Sequence, residues 1–172
     1  WLVTEEIDLT GLQVRSQGGT DTSTGKELPE LFLVSALPSD GSTAVNVNAV
    51  TTVLSVADET EQQDILEALG IDTSPDALII TDIWERAVAG DIVAKQAQRV
   101  NSQLNVVLST TQTIVSSISG GQADGSDAVL SAASQIATLI NESESADLSQ
   151  ASLIDEVINQ TVNDVLPDTE VD

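Results

Sequence analysis

DIVAKQAQRVNSQLNVVLSTTQTIVSSISGG, Asp91 to Gly121, is the stretch whose reading decides the fold. Ala97, Val100, Leu104, Val107, Thr111, Ile114 and Ile118 recur at alternating intervals of three and four. That spacing puts an apolar or small stripe on one face of a helix running roughly from Ile92 to Ser119. A helix this long serves as the spine of a bundle, and Gly120-Gly121 breaks it. The middle of the stripe, Val100, Leu104 and Val107, is a face for the domain's own core or for a partner helix. The core is the ordinary use of such a stripe.

The sequence on either side supplies the partners of that spine. Asp82 with Glu85 reads as a capping box before IWERAVA, and Ser74-Pro75 as a cap followed by proline at the first helical position. Thr60 with Gln63 reads as another capping box, for a helix that ends at Gly70 after ILEALG. In STAVNVNAVTTVLS, Ser42 to Ser55, the period changes from two to near 3.6. Val45 and Val47 are expected to finish a sheet, Asn48 to cap, and Val50, Val53 and Leu54 to begin the helical core. Beyond the spine, a helix following Ser126 presents Val129, Ala132, Ile136 and Leu139. A last one, opened by Asp147 with Gln150, presents Ala151, Ile154, Val157 or Ile158, Thr161 and Val165, and Pro167 stops it. Small residues on these faces, Ala132, Ala133, Ala137 and Ala151, favour close helix approach.

The N-terminal third reads as strands and turns. WLVTEEIDLTGLQVRS carries Ile7, Leu9, Leu12 and Val14 in broken alternation, with Gly11 as a bulge or turn. QGGTDTSTGKELP is a polar loop, Leu31 to Leu37 an apolar run stopped by Pro38, and PSDGS a turn. The fold class is therefore α+β and mainly α: a strand and turn region over 1–47, a helical bundle over 48–166 and an acidic tail over 167–172. Residues 1–14 are also available as an exchanged strand.

Composition narrows the function. The chain has 172 residues, and its 41% hydrophobic content supplies a core, built of Val, Ile, Leu and Ala because there are only two Trp, one Phe and no Tyr or Met. Twenty-eight acids against five bases give a net charge of −23. Nucleic acid is thereby excluded as a partner, since neutralising phosphates requires clustered Lys or Arg, and anionic membrane surfaces are disfavoured. No basic residue follows Arg99, whereas 11 acids do. Such a surface suits a salty medium that screens repulsion, or the binding of divalent cations. Cys and His are both absent, so there is no disulfide, thiolate nucleophile or histidine base. No apolar window is long enough to insert in a membrane. A start at Trp1 reads as a processed fragment or a module cut from a longer polypeptide.

Carboxylate pairs occur at Glu5-Glu6, Asp155-Glu156 and Glu142 with Glu144. Catalysis would require a shared cleft that separates their pKa values, and neighbours on a helix point apart, so these read as solvated faces. Calcium is the one cofactor left open. Its oxygen ligands could come from loops around Asp21, Asp40, and Asp124 with Asp127. None matches a known calcium-loop pattern, and DGSD at 124–127 is equally a turn and helix cap. Asn141 and Asn159 sit in glycosylation sequons, the second inside an expected helix.

GTDTSTGKELP, VNVNAVTTVLS, EALGI and DIWERAVAGDIVAKQAQRVNSQLNVV, taken in order, resemble a helical module of very long bacterial extracellular proteins. These are surface adhesins with cadherin-like or calcium-binding repeats. The resemblance covers about Gly18 to Gly121. It departs at Asn48-Ala49, where the module often has Thr-Pro. What it implies is an exported, non-enzymatic building block, with no catalytic or ligand residue carried over.

The expected function is a structural module or self-associating subunit of an extracellular adhesin or fibre, with copies of itself or adjacent modules as partners. Strand addition would run through Ile7, Leu9, Leu12 and Val14. The alternative is a calcium-dependent ligand- or glycan-binding adhesin domain. Only Trp1 and Trp84 are available there to stack on a sugar.

Overall fold

The computed structural model describes residues 12–21, 25–27, 31–38, 42, 44–143 and 147–167. Four short strands come first: β1 (Gln13–Gln17), β2 (Thr20–Asp21), β3 (Lys26–Glu27) and β4 (Phe32–Ala36). β1 pairs antiparallel with β4, Arg15 opposite Val34, and the β2–β3 ladder lies between them in the chain. Seven helices follow: α1 (Ala49–Val56), α2 (Gln62–Ala68), α3 (Pro75–Ile80), α4 (Ile83–Val88), α5 (Ile92–Ile118), α6 (Gly125–Ser143) and α7 (Ala151–Val165). The architecture is mainly helical, with a small sheet near the N-terminus and a long helix at its centre. Leu31, Phe32 and Val34 of the strand region share one core with α1, α2, α5, α6 and α7.

α1 forms because Asn48, in extended conformation, caps it reciprocally. Asn48 Oδ1 accepts from the Thr51 amide at 3.0 Å, and Thr51 Oγ1 accepts from the Asn48 amide at 2.9 Å. Every residue from Ala49 to Leu54 is buried. A helix buried all round has no wet face for its polar side chains, so both threonines turn to the backbone of β4. Thr52 Oγ1 accepts from the Val34 amide at 2.9 Å, and Thr51 Oγ1 donates to the Val34 carbonyl at 3.0 Å. From the other side, Asn101 Oδ1 of α5 accepts from the Ala49 amide at 2.8 Å. α1 is thus bonded to the sheet and to the spine.

Along α5 the core-facing row departs from the strict heptad stripe. Ala97, Val100, Leu104, Val107 and Thr111 are buried as expected, but Ile114 is half-buried and Ile118 is 42% exposed. Val115 occupies the core in their place. A straight helix drifts by about 20° per heptad against a seven-residue repeat, so the far end of the stripe rotates out of the core. Val115, Ala128 and Val162 form a separate small cluster at that end.

Other expectations are corrected. Val45 and Val47 lie outside the strands. Their neighbour Asn46 is held by α3: its amide donates to the Ile79 carbonyl at 2.7 Å and its side chain to the Thr81 carbonyl at 2.6 Å. α2 begins after Glu61 with no side-chain cap, so Thr60 with Gln63 is no capping box; Gln63 bonds Glu67 instead. α6 starts at Gly125 rather than after Ser126. A Cβ at Gly125 would stand 2.5 Å from Gln112 Nε2, so a larger residue there would have to displace the end of the Gln112 side chain. α7 has Gln150 as N-cap with no side-chain bond to the helix amides; the Asp147 carboxylate accepts from Ser149 and, at 3.5 Å, from the Gln150 side chain. Ala151 is exposed, whereas Leu139 packs half-buried against the core in which its neighbour Ile140 is fully buried.

Thr52→Val should keep shape while leaving the buried Val34 amide without its acceptor. Urea denaturation should show a loss of about 1–3 kcal/mol. Asn48→Ala, which removes only the cap, should cost about 1 kcal/mol in the same measurement.

Candidate functional site

The carboxylates proposed for calcium separate in space and role. Asp40 lies outside the described residues, as do Glu5, Glu6 and Glu144; Asp21 ends β2. Asp124 precedes α6, and its Oδ1 accepts from the Ser126 amide at 2.9 Å and hydroxyl at 2.8 Å. Those two bonds hold its carboxyl below the usual aspartate range. Asp127 is exposed in the first turn of α6. Asp147 is lowered in the same way by the Ser149 hydroxyl and amide, and Asp91 by the Ala94 amide and then by Arg86, its ion-pair partner. Among the described residues no three acids converge as a cation cage. Asp155 and Glu156 are both exposed on α7.

Two clefts open on the helical side. One of about 90 Å³ lies against α3, α4 and α5 and is lined by Asp72, Thr81, Arg86 and Val93 among others. Its Arg86 is engaged by Asp91. The second, about 290 Å³, is lined by Leu69, Gln96, Arg99, Gln103, Asp147 and Leu148. There the Gln96 side chain already donates to the Leu69 carbonyl at 3.0 Å. Both are smaller than the usual small-molecule pocket of roughly 300–1,000 Å³. Neither brings a nucleophile up to a base.

The small sheet is asymmetric. In an antiparallel pair the backbone groups of successive residues point alternately toward the partner strand and away from it. Val34 of β4 points away from β1, toward the threonines of α1. Gly18, by contrast, donates across the ladder to Leu31 at 2.9 Å. The alternation therefore aims the backbone groups of Gln13, Arg15 and Gln17 outward from β1. Among the described residues nothing pairs with that edge. Arg15 lies over the Phe32 ring of β4 at 5.7 Å, which draws its cation across the ladder.

The residues expected to mediate association fall on both sides of this result. Ile7 and Leu9 lie outside the described residues. Leu12 is 49% exposed just ahead of β1. Val14 is half-buried and opposite Ser35, so it belongs to the chain's own sheet. Val100, Leu104 and Val107 are within 3% of full burial in the chain's own core, which removes them as a partner face. The exposed large apolar side chains are instead Leu12, Trp84, Val88, Ile92, Val106 and Ile118. Ile92 and Val106 sit on the solvent side of α5, which sequence reasoning passed over because it followed the core stripe. One signal was available: α5 contains no acid in 27 residues of a chain this acidic.

Comparison with protein-family models, with curated proteins and with solved structures returns no match.

Among the described residues, two buried polar side-chain atoms have no partner: Asn105 Oδ1 and Thr161 Oγ1, on α5 and α7. Thr161→Val removes one of them at constant shape. It should raise stability by about 1 kcal/mol, read as a higher melting temperature. Calcium at millimolar concentration should raise the melting temperature no more than magnesium does, since both screen the same negative charge. A calcium-specific rise would expose a built site.

Proposed function

We propose that this chain is a non-enzymatic structural module of an extracellular bacterial surface protein or fibre, and that it works by associating with copies of itself. The observation that carries the reading is the outer edge of β1, which has no partner among the described residues, beside a β4 edge closed by Thr51 and Thr52. An unpaired edge is a template for a further strand. The occupant is the segment ahead of β1 in a second copy, in which Ile7 and Leu9 alternate with Asp8 and Thr10. Its Glu5, Glu6 and Asp8 would meet Arg15, one of only five bases in the chain. The resemblance to modules of long surface proteins supports the same reading. So does a net charge of −23, which keeps copies apart at low salt and lets them meet where salt screens them.

The test is sedimentation of Arg15→Pro beside Arg15→Val at high salt. The outward amide of Arg15 makes no bond in its own ladder, so proline there removes only what an added strand would use. The proline chain should sediment as a monomer while the valine chain still self-associates, both with a native circular dichroism spectrum. Equal association of the two would overturn strand addition.

A further inference from the structure

The solvent-facing ridge of α5 carries no acid over its full length. Ile92, Lys95, Arg99, Val106, Thr110 and Thr113 are all exposed along it, and the whole helix from Ile92 to Ile118 has no Asp or Glu. Ile92 is 82% exposed and Val106 62%. Two of the five bases lie on this ridge, whereas the 73 residues beyond Arg99 hold 11 acids and no base. Two copies carrying −23 each repel wherever their acidic surfaces approach. Over this ridge, about 40 Å long at helical rise, the helix itself adds no acid to that repulsion.

We infer that a second copy of this chain packs here, ridge to ridge, with the two α5 helices antiparallel about a two-fold axis through Val106. This rests on the self-association proposed above and gives it a second contact. The orientation follows from charge. Val106 lies next to the midpoint of α5, so an antiparallel pair sets it against its own counterpart. Arg99 then faces Thr113 of the other copy, and Lys95 faces Ser117. The bases meet hydroxyl oxygens and the negative end of the helix dipole. A parallel pair would set Lys95 and Arg99 against themselves. The Thr113 and Ser117 hydroxyls donate to the Ser109 and Thr113 carbonyls at 2.7 Å, which leaves their oxygen lone pairs free to accept. A ridge about 10 Å wide buries only about 800 Å² in total, below the size of a stable isolated interface. The contact therefore forms between copies already brought close, and trapping detects it better than equilibrium size.

The chain has no cysteine, so single-cysteine variants report contacts without background. Val106→Cys, at an exposed position, should form a disulfide-linked dimer under copper–phenanthroline at high salt. It should do so at least about tenfold faster than Ser134→Cys, exposed on α6, because a held pair raises the local thiol concentration. Ile92→Cys, at the end of the ridge, should couple slowly with itself. Equal rates for Val106→Cys and Ser134→Cys would overturn the contact, and faster coupling of Ile92→Cys would overturn the antiparallel arrangement. Failure of strand addition is read separately, in the Arg15→Pro chain. A ridge contact that fails while Arg15→Val still assembles leaves the edge reading standing.

Discussion

The fold depends on one constraint: α1 is buried on every side, so each polar group it carries must find a partner inside the protein. An unmade hydrogen bond there costs about 1–3 kcal/mol, a large part of the net stability of a small domain. The solution is specific. Asn48 and Thr51 cap each other, Thr51 and Thr52 take the outer backbone groups of Val34, and Asn101 takes the Ala49 amide. These bonds dock β4 on α1 and set the position of α5 along it. They also decide which edge of the sheet is closed. With β4 sealed by hydroxyls, the edge without a partner among the described residues is that of β1, and this asymmetry follows from the wiring of the core.

How far the sequence discloses this can be judged element by element. The spine was legible because its stripe persists for seven positions, and α1, α3 and α4 because Asn48, Ser74 and Asp82 are strong caps; all three accept the expected amide bonds. Rotation of Ile118 out of the core was not legible from a three-four pattern, since a 3.5 and a 3.6 period separate only after several turns. Val45 and Val47 misled because their alternation is real but local. Asn46 between them is tied to the end of α3, 33 residues away in sequence, and no local pattern reports that. Capping boxes read at Thr60 and Asp147 failed for a related reason. Short polar side chains have several local backbone partners, and small differences in geometry decide among them.

The site was less legible than the fold. Acid-rich loops draw attention in a chain of this charge, yet Asp124 and Asp147 serve as ordinary turn and cap residues. The informative signal was the opposite one. Where nearly every surface element carries acids, a 27-residue helix without any marks a surface kept free of negative charge. The open edge of β1 needed the register of the ladder, because the direction of a backbone amide is not written in a single residue. The proposed self-association would use both, the edge through main-chain bonds and the ridge through a weakly basic, partly apolar helix face.

Amide hydrogen exchange in β1, followed as protein concentration rises at high salt, tests the central claim most directly. Val14 and Ser16 point into the ladder with β4 and should be protected at every concentration. Arg15 and Gln17 point outward; their amides should exchange freely in dilute solution and become protected as copies add a strand. An Arg15 amide that stays unprotected up to millimolar chain would contradict the account.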